Sequence, residues 1–508
     1  MTTHTKEKSD KGLARFLNFI EKAGNKLPEP FMLFVYLAGF TILFSFVISL
    51  FDVTVKEPGT GDIVPIKSLV SGDGLDYILT SMLDNFTGFA PLGLVLAMML
   101  GIGLADKVGL LETAIKSTIL KAPSSLITYA VIFVGILGNL ASDAAFVIVP
   151  PLAAMVFYTV GRHPLAGLAA GFAGVGSGFT ANIIIAGTDA LLSGISTEVM
   201  EGIGSDIVVT PVDNWYFMIA SVVVLSITGA LITEKIIEPR LGKYKGDASE
   251  NELEASTSLE KKGFRNAVFA GLAFIALLIV AIAWPGSALR NEEGGIIPSP
   301  FLDGIVPIIL LFFITIGIAY GATVKKIQST KDISGFMSEA MKDMSGFIVL
   351  IFAAAQFIAY FSWTNIGTWI AVSGANFLES MNMTGLPIVV GFSMLTALMN
   401  LLIFSGSAQW ALEAPIFLQM FHLLDYHPAF IQAAYRIADS STNIITPMNP
   451  YIIVVLAFMR EYNKKAGLGT LISLMLPYSV IFFIVWVILL IAFALLGIPF
   501  GPGIHMHI

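Results

Sequence analysis

Seven long segments of the sequence contain no charged side chain, and this feature constrains the fold more than any other. They lie at 31–51, 86–105, 215–233, 266–286, 304–324, 345–378 and 466–508. A helix needs roughly 20 apolar residues to cross the hydrocarbon core of a bilayer, and each segment is long enough. Only 13% of the 508 residues are charged, which is too few to cover the surface of a soluble protein of this size. The sequence therefore predicts an all-α polytopic membrane protein.

The remaining composition excludes several other classes. The opening stretch "MTTHTKEKSDKGLARF" lacks the pattern of a cleaved signal peptide, so 31–51 is expected to remain as the first span. The absence of cysteine excludes disulfide and thiol chemistry. The six histidines show no metal-ligand spacing, and no nucleophile, base and orienting acid occur together. We therefore predict neither an enzyme nor a cofactor, and the net charge of −8 gives no sign of a nucleic-acid partner.

A polar stretch at 238–265 divides the chain into two halves that resemble each other. It is too short and too poor in apolar residues to bury a core, as is typical of a linker. Three matches follow in the same order and at nearly constant spacing: Asn139 with Asn400, His163 with His427, and Asn182 with Asn443. We interpret them as an internal duplication, which is how many secondary transporters are built.

The basic residues test the topology, because Lys and Arg accumulate in cytoplasmic loops. If every apolar segment crossed the membrane, the basic linker would lie outside the cell. The conflict disappears if 122–162 is a re-entrant hairpin with its tip at "NLASD", and 383–424 is its counterpart. Every basic loop is then cytoplasmic, and the two halves have inverted topologies.

This topology gives four regions. They are a cytoplasmic N-terminal segment at 1–30, a first half at 31–237, the cytoplasmic linker at 238–265 and a second half at 266–508. About nine spans are predicted, at 31–51, 86–106, 164–199, 213–237, 266–286, 303–324, 345–373, 429–460 and 469–497.

Two of these spans, 164–199 and 429–460, are predicted to be broken at the midplane. "GVGSGFTANIIIAGTD" interrupts the first with glycines, and "ADSSTNIITPMNPY" interrupts the second with two prolines. Non-helical backbone at membrane depth is tolerated only where it lines a cavity or is buried in protein. A broken helix offers an N-terminus that attracts anions and carbonyl groups that coordinate cations.

Charged residues within the apolar part of the chain gather in the hairpins and broken spans, where their cost indicates a function. They are Asp143, Asp189, Glu413, Arg436 and Asp439. The hairpin tips are expected to face the breaks, so that oxygen atoms surround two cation sites. The predicted ion-binding residues are Asn139, Asp143, Asn182, Asn400, Asn443 and Thr446, with Na⁺ suited to the four asparagines. Protonation of Asp189 or Asp439 would serve a proton-coupled protein equally well.

Structural interpretations of the same residues remain open. Arg436 and Asp439 lie three positions apart, so Arg436 either pairs with Asp439 or binds a substrate carboxylate. Asp189 could instead cap the helix that follows it, and "SSTN" could be a second helix cap. Asp143 could belong to a hydrated loop, and Trp410 could be a packing residue or an anchor at the membrane interface.

Four motifs resemble one known family. They are "NKLPEPFMLFVYLAG" from Asn25, "NFTGFAPLGLVLAMMLGIGLADKVGLLE" from Asn85, "GSGFTANIIIAGTDALLSGIST" from Gly176 and "YRIADSSTNIITPMNPY" from Tyr435. They are similar to motifs of the p-aminobenzoyl-glutamate transporter (AbgT) family, which belongs to an ion-transporter superfamily with paired hairpins and broken helices. The likeness covers nearly the whole chain apart from its first residues and the linker.

The resemblance implies a homodimer surrounded by lipid in the bacterial inner membrane. It implies a secondary active transporter, coupled to Na⁺ or H⁺, for p-aminobenzoyl-glutamate and related antimetabolites such as sulfonamides. Carried over by motif, the substrate-binding residues are Asp189, Ser407, Trp410, Arg436, Asp439 and Pro447, with Asn400 near the ion. The second hairpin departs from the family pattern "GSASAKW", because "GSAQW" is shorter and has Gln409 before Trp410. The hairpin contacts and the substrate specificity of this chain are therefore expected to differ from those of the family pattern.

Two alternative transport functions remain open. The protein could transport another organic anion, such as a dicarboxylate, or it could be an antimetabolite efflux pump with no role in uptake. A passive channel would need a continuous polar lining, which the plain spans do not offer. We favour an elevator-like transporter in which the hairpins and broken helices move as a unit against a dimer scaffold.

Overall fold

The computed structural model describes residues 26–56, 63–141, 144–244, 257–381, 383 and 385–508. Among these residues, seven helices are long and apolar enough to cross a membrane. They are Pro30–Ser49, Gly72–Lys107, Trp215–Leu241, Ser258–Ala283, Ile305–Thr323, Ser345–Trp363 and Leu468–Leu496. Gly72–Lys107 and Trp215–Leu241 are runs of consecutive helices, which are given separately below. Each of the seven overlaps one of the predicted uncharged segments, so the prediction of a polytopic helical membrane protein is confirmed.

The first half contains ten helices and a short sheet within the described residues. In chain order they are α1 (Pro30–Ser49), β1 (Thr54–Lys56), β2 (Ile63–Pro65), α2 (Gly72–Thr87), α3 (Ala90–Lys107), α4 (Leu110–Lys121), α5 (Ile127–Leu137), a 3₁₀ turn (Gly138–Ala141), α6 (Ala144–Thr159), α7 (Pro164–Ser177), α8 (Gly187–Glu201), α9 (Trp215–Ile232), a π turn (Thr233–Ile237) and α10 (Glu238–Leu241). The antiparallel pair of β1 and β2 was not predicted, so the fold is not entirely helical.

The second half adds eleven helices within the described residues. They are α11 (Ser258–Ala283), α12 (Pro300–Asp303), α13 (Ile305–Thr323), α14 (Thr330–Asp343), α15 (Ser345–Trp363), α16 (Ile366–Ser380), α17 (Leu386–Asn400), α18 (Gly406–His422), α19 (Pro428–Thr442), α20 (Tyr451–Tyr462) and α21 (Leu468–Leu496). The predicted span 345–373 is wrong as a single helix, because Asn365 has a φ of 62° and separates α15 from α16. An asparagine tolerates this left-handed conformation better than most residues.

Both broken spans are present as predicted. The first consists of α7 and α8, and the second of α19 and α20, with non-helical backbone between the two parts of each. Both begin in the same way: the Nδ1 of His163 accepts the Leu165 amide at 3.2 Å, and the Nδ1 of His427 accepts the Ala429 amide at 3.2 Å. In both, a proline follows at the first helical position, where its missing N–H costs nothing. The matching caps support the internal duplication.

The two predicted hairpins are α5 with α6 and α17 with α18. The 3₁₀ turn Gly138–Ala141 leads to the tip of the first hairpin. Asp143 at that tip lies outside the described residues, as do 1–25 of the N-terminal segment and 245–256 of the linker.

The two halves meet in antiparallel orientation where their broken helices touch. The Ser177 hydroxyl donates to the Ser441 carbonyl at 2.9 Å, and the Thr180 hydroxyl donates to the Arg436 carbonyl at 3.3 Å. As the chain advances from 177 to 180, its contacts move back from 441 to 436. Equivalent elements of an inverted repeat are expected to run in opposite directions, and these do.

The helices pack in two groups. The hairpins and broken helices pack with α9 and α21, whereas α1 packs on α15, and α13 packs on both α3 and α11. The groups meet mainly where α3 contacts α8 and where α16 contacts α18. The candidate functional residues therefore lie in one group, and the more exposed spans lie in the other.

Close packing of α5 on α7 depends on two glycines, and this gives a prediction about stability. A Cβ on Gly135 would lie 2.9 Å from the Cα of Gly174, whereas a Cβ on Gly39 of α1 would meet nothing within 4 Å. We expect Gly135→Ala to lower the free energy of unfolding by about 1–3 kcal/mol. The new Cβ would clash with the backbone of Gly174, which cannot move aside as a flexible side chain can. Thermal unfolding in detergent measures the difference, with Gly39→Ala as the matched control. Equal melting temperatures for both variants would show that this contact does not limit stability.

Candidate functional site

A cavity of about 410 Å³ lies between the breaks of the two spans and the tip of the second hairpin. Its lining includes the aromatic residues Phe146, Phe179, Phe404 and Tyr451 and the polar residues Thr180, Thr188, Ser405, Ser407, Asp439 and Asn443. The rings of Phe146 and Tyr451 stack with centroids 4.5 Å apart and planes 2° apart, so the two halves share an aromatic wall. The cavity suits a ligand with an aromatic ring and polar groups.

Asp439 supplies the carboxylate of this cavity. Its side chain forms no hydrogen bond or ion pair with any described residue, although the residue is only 3% exposed. A Cβ on Gly406 would lie 2.8 Å from its Oδ1, which places the carboxylate against the first residue of α18. The N-terminal end of a helix carries a partial positive charge that favours an anion. Asp439 and the carboxylate of a bound anion would therefore compete for the same helix end.

The guanidinium of Arg436 is held elsewhere. It forms an ion pair of 2.5 Å with Asp189, and the two side chains are only 1% and 5% exposed. The alternative that Arg436 pairs with Asp439 is wrong, because Asp189 approaches from the first half and takes the guanidinium. With its amide oxygen turned toward Arg436, Gln432 accepts a further N–H at 3.1 Å. Arg436 therefore joins the two halves and does not line the cavity.

Asp189 is also the helix cap that the sequence offered as an alternative. Its Oδ2 accepts the backbone N–H of Ala186 at 2.6 Å, which caps α8, and the amide of Asn182 at 3.0 Å. One carboxylate thus organises the first break and neutralises Arg436. A role in binding substrate stays a prediction for both Asp189 and Arg436.

The asparagines of the two hairpins occupy equivalent positions. The amide nitrogen of Asn139 donates to the Phe179 carbonyl at 2.7 Å and to the Oδ1 of Asn182. In the second half, the amide nitrogen of Asn400 donates to the Asp439 carbonyl at 2.6 Å and to the Oδ1 of Asn443 at 3.0 Å. Each hairpin therefore fixes the break of its own half through the same pair of asparagines, as the repeat predicted.

The side-chain oxygens of these two hairpin asparagines have no partner. Both Oδ1 atoms are buried and accept no hydrogen bond from any described residue. An unsatisfied buried acceptor costs about 1–3 kcal/mol. A small cation that prefers oxygen ligands would satisfy each atom. Carbonyl groups of the breaks already accept hydrogen bonds from the amide nitrogens of the same two side chains. The residues present thus fit the predicted Na⁺ sites, although among the described residues no cluster of His, Cys, Asp or Glu could hold a metal.

Other predicted residues are spread around the cavity. Ser407 lines it, with its hydroxyl 3.2 Å from that of Ser405. Thr446 donates to the Leu401 carbonyl at 2.8 Å and so ties the second break to its hairpin. Pro447 lies half-buried in the break without lining the cavity. Their roles toward substrate or ion stay predictions.

Trp410 lies behind the cavity. It is fully buried, its indole N–H donates to the Leu192 carbonyl and the Ser196 hydroxyl at 3.2 Å each, and its ring contacts Tyr435. This arrangement matches the packing alternative.

Gln409, at which the second hairpin departs from the family pattern, lies inside the hairpin. Gln409 donates to the Thr396 carbonyl at 2.9 Å and to Glu413 at 2.8 Å, and Thr396 donates to the same carboxylate at 2.6 Å. Gln409 therefore holds the two arms of the hairpin together, away from the cavity wall.

The sequence analysis did not identify the aromatic residues of the cavity, because an apolar segment gives no signal that singles out Phe146 or Phe179.

Comparisons with known proteins agree with this geometry. Residues 15–508 match the model of the AbgT putative transporter family. The chain is 45% identical over 492 residues to the p-aminobenzoyl-glutamate transport protein of Escherichia coli (strain K12), covering 97% of each. It superposes on the MtrF structure from Neisseria gonorrhoeae, described as one of a class of antimetabolite efflux pumps, with a TM-score of 0.91, 43% identity and coverage of 96% of this chain and 100% of that one.

A second solved structure gives the same result. The YdaH transporter of Alcanivorax borkumensis matches with a TM-score of 0.89, 38% identity and coverage of 94% of this chain and all of that one. The family and these relatives are transporters and not enzymes. The chain therefore belongs to the AbgT putative transporter family and is a multi-pass protein of the bacterial inner membrane.

Proposed function

We propose that this protein is a secondary active transporter of p-aminobenzoyl-glutamate and related aromatic antimetabolites such as sulfonamides. The observation that carries the proposal is the cavity between the two breaks, which is lined both by aromatic rings and by Asp439 beside a helix N-terminus. The substrate named for the Escherichia coli relative has an aromatic amide and two carboxylates. Sulfonamides share its p-aminophenyl ring, so one aromatic wall serves both classes.

The substrate would bind across this cavity. Its ring would pack against Phe146, Phe179 and Tyr451, and a carboxylate would accept hydrogen bonds from the first turn of α18 and the Ser407 hydroxyl. The first amides of a helix have no backbone partner within it. In α18 the Ala408 amide donates to the Ser405 hydroxyl at 3.4 Å, so the Gly406 and Ser407 amides are the ones that an anion would meet.

Coupling to a cation follows from the charges. A carboxylate of the substrate and the carboxylate of Asp439 repel each other in a cavity where Arg436 already neutralises Asp189. A proton on Asp439, or Na⁺ at the unpartnered oxygens of Asn139 and Asn400, offsets that repulsion. Substrate would then bind only together with the cation, which is the basis of coupled transport.

The movement we propose is elevator-like. The hairpins, both broken helices, α9 and α21 would move as one unit, because most of them pack mainly on one another. The helices α8 and α18 also pack closely on scaffold helices, α8 on α3 and α18 on α16. The group of α1, α11, α13 and α15 would form the scaffold of a homodimer. Site-directed crosslinks between α16 and α18, trapped in the presence and absence of substrate, test this movement.

Asp439→Asn is the decisive variant for the proposed function. In proteoliposomes with an imposed gradient of Na⁺ or H⁺, the wild type is expected to accumulate labelled p-aminobenzoyl-glutamate. The variant is expected to accumulate no more than protein-free vesicles, because its cavity no longer carries the charge that requires a cation. Its melting temperature should stay near that of the wild type, since the Asp439 carboxylate has no hydrogen-bond partner among the described residues.

Asp84→Asn on the exposed part of α2 is the matched control and should transport normally. Separate Na⁺ and H⁺ gradients identify the coupling ion. Gradient-driven accumulation by Asp439→Asn at the wild-type rate would contradict the proposal, as would equal accumulation by the wild type without any gradient.

A further inference from the structure

A groove with no assigned function lies between the first hairpin and the scaffold helices. It contains a cavity of about 360 Å³ bounded by α4, α5, α11 and α13. Apart from Thr118, the described residues that line this cavity are apolar or glycine. The cavity is separate from the candidate functional site, with which it shares no lining residue.

A second cavity of about 610 Å³ continues the groove. Both cavities are lined by Thr118, Phe133 and Phe264, which places them side by side. The second is the more polar of the two, since Ser117, Lys121, Tyr129 and Ser226 also line it. The groove therefore has an apolar part and a polar part with a cationic side chain, as an amphipathic ligand requires.

One buried hydroxyl in the lining of the groove has no hydrogen-bond partner among the described residues. The hydroxyl of Ser226 on α9 is buried, with 7% of the residue exposed, and it forms no hydrogen bond with any described residue. A serine in a helix commonly donates back to a carbonyl of the preceding turn, as Ser221 of the same helix does at 2.6 Å. Ser226 instead has a free hydroxyl in the lining of the second cavity. An ester or phosphate oxygen of a ligand would satisfy it.

The polar end of the groove is positively charged. Lys121 lines the second cavity and forms no ion pair with any described residue. Lys261 is likewise unpaired and does not line the cavity, but it lies one turn before Phe264 on α11. Among the described residues no carboxylate lines either cavity; Glu112 pairs with Lys116, Glu234 and Glu238 share Arg162, and Glu260 accepts the backbone N–H of Thr257. An anionic headgroup in the groove would therefore meet Lys121 with no carboxylate in the lining.

The length of the groove fits one acyl chain. Its wall on α11 runs from Phe264 to Ile275, which at 1.5 Å per residue is about 16 Å. The hydrocarbon core of a bilayer is about 30 Å thick, so the groove spans about one leaflet. Basic residues place its polar end at the cytoplasmic surface, where anionic lipids concentrate.

We propose that this groove binds one anionic phospholipid from the cytoplasmic leaflet. One acyl chain fills the cavity between α5 and the scaffold, the phosphate lies at Lys121 and Lys261, and Ser226 donates a hydrogen bond to a headgroup or ester oxygen. The lipid occupies space between the first hairpin and helices α11 and α13, so it seals the boundary between the two groups of helices. This site is independent of the proposed transport function.

Native mass spectrometry of protein purified in mild detergent tests the proposal directly. After addition of phosphatidylglycerol or phosphatidylcholine, the wild type is expected to retain one phosphatidylglycerol molecule per protomer and to retain phosphatidylcholine less strongly. Lys121→Gln with Lys261→Gln is expected to weaken retention by about fivefold per lysine and about 25-fold together. Ala114→Phe, which fills the apolar cavity, is expected to abolish retention with both lysines intact.

Ala273→Phe, on an exposed position of α11 outside the groove, is the matched control and should retain the lipid. Equal retention by wild type, Ala114→Phe and the lysine double variant would overturn the proposal. Equal retention of phosphatidylcholine would overturn the charge argument. Crosslinks between Ala114→Cys of two copies, on an otherwise cysteine-free chain, would show that a second protomer covers the groove and would also overturn it.

Discussion

Arg436→Gln is expected to lower the free energy of unfolding by about 3–5 kcal/mol, because it leaves the buried carboxylate of Asp189 without its counter-charge. The pair is 2.5 Å long, almost completely buried, and joins the two halves of the chain. The same carboxylate caps α8, so its loss of a partner would also disturb the first break. Thermal unfolding in detergent and transport in proteoliposomes measure the two consequences, and both are expected to be severe.

Two further variants separate charge from structure. In Arg436→Gln with Asp189→Asn, neither member of the pair carries a charge, so most of the lost stability should return. Arg162→Gln is the matched control: this arginine pairs with Glu238 at 2.5 Å, but it is 20% exposed, so its loss should cost less. If the double variant is as unstable as Arg436→Gln, the pair does not act through charge balance, and our interpretation of Asp189 is wrong.

The second large effect concerns the hairpin asparagines. If Na⁺ binds at their unpartnered oxygens, Na⁺ at a hundred times its dissociation constant stabilises the wild type by about 2.7 kcal/mol. Asn400→Ala is expected to abolish this dependence on Na⁺ at the second site and to leave the Asp439 carbonyl and Thr442 without their donor. Asn139→Ala should do the same at the first site. The measurement is the melting temperature as a function of Na⁺ at constant ionic strength, with choline as the replacement cation.

Asn266→Ala supplies the comparison, since the amide of Asn266 donates to Thr323 within the scaffold at 3.0 Å and has no part in either break. It should retain the full effect of Na⁺. A wild type whose melting temperature does not change with Na⁺ would exclude both sites and favour a proton on Asp439. If only one of the two variants, Asn139→Ala or Asn400→Ala, loses the dependence of the melting temperature on Na⁺, then Na⁺ binds at that site alone.

The main features of the site could be predicted because they obey local rules. The breaks at Gly178 and Pro447 follow from the low helix propensity of glycine and the missing N–H of proline. The equivalence of Asn139 with Asn400 follows from the repeat. The partner of Arg436 could not be predicted in this way, because a helical spacing of three residues suggests Asp439 and gives no information about Asp189, which is distant in sequence.

The sequence by itself determined the number and approximate positions of the spans, the two hairpins, the two breaks and the inverted repeat. These features depend on segment length, on the burial of backbone polar groups in lipid and on the distribution of basic residues. Only the tertiary structure decided that Asp189 takes Arg436, that Asp439 faces the cavity without a partner, and that Trp410 packs behind it. Such pairings depend on distances between helices from different halves, and no local pattern of residues encodes those distances.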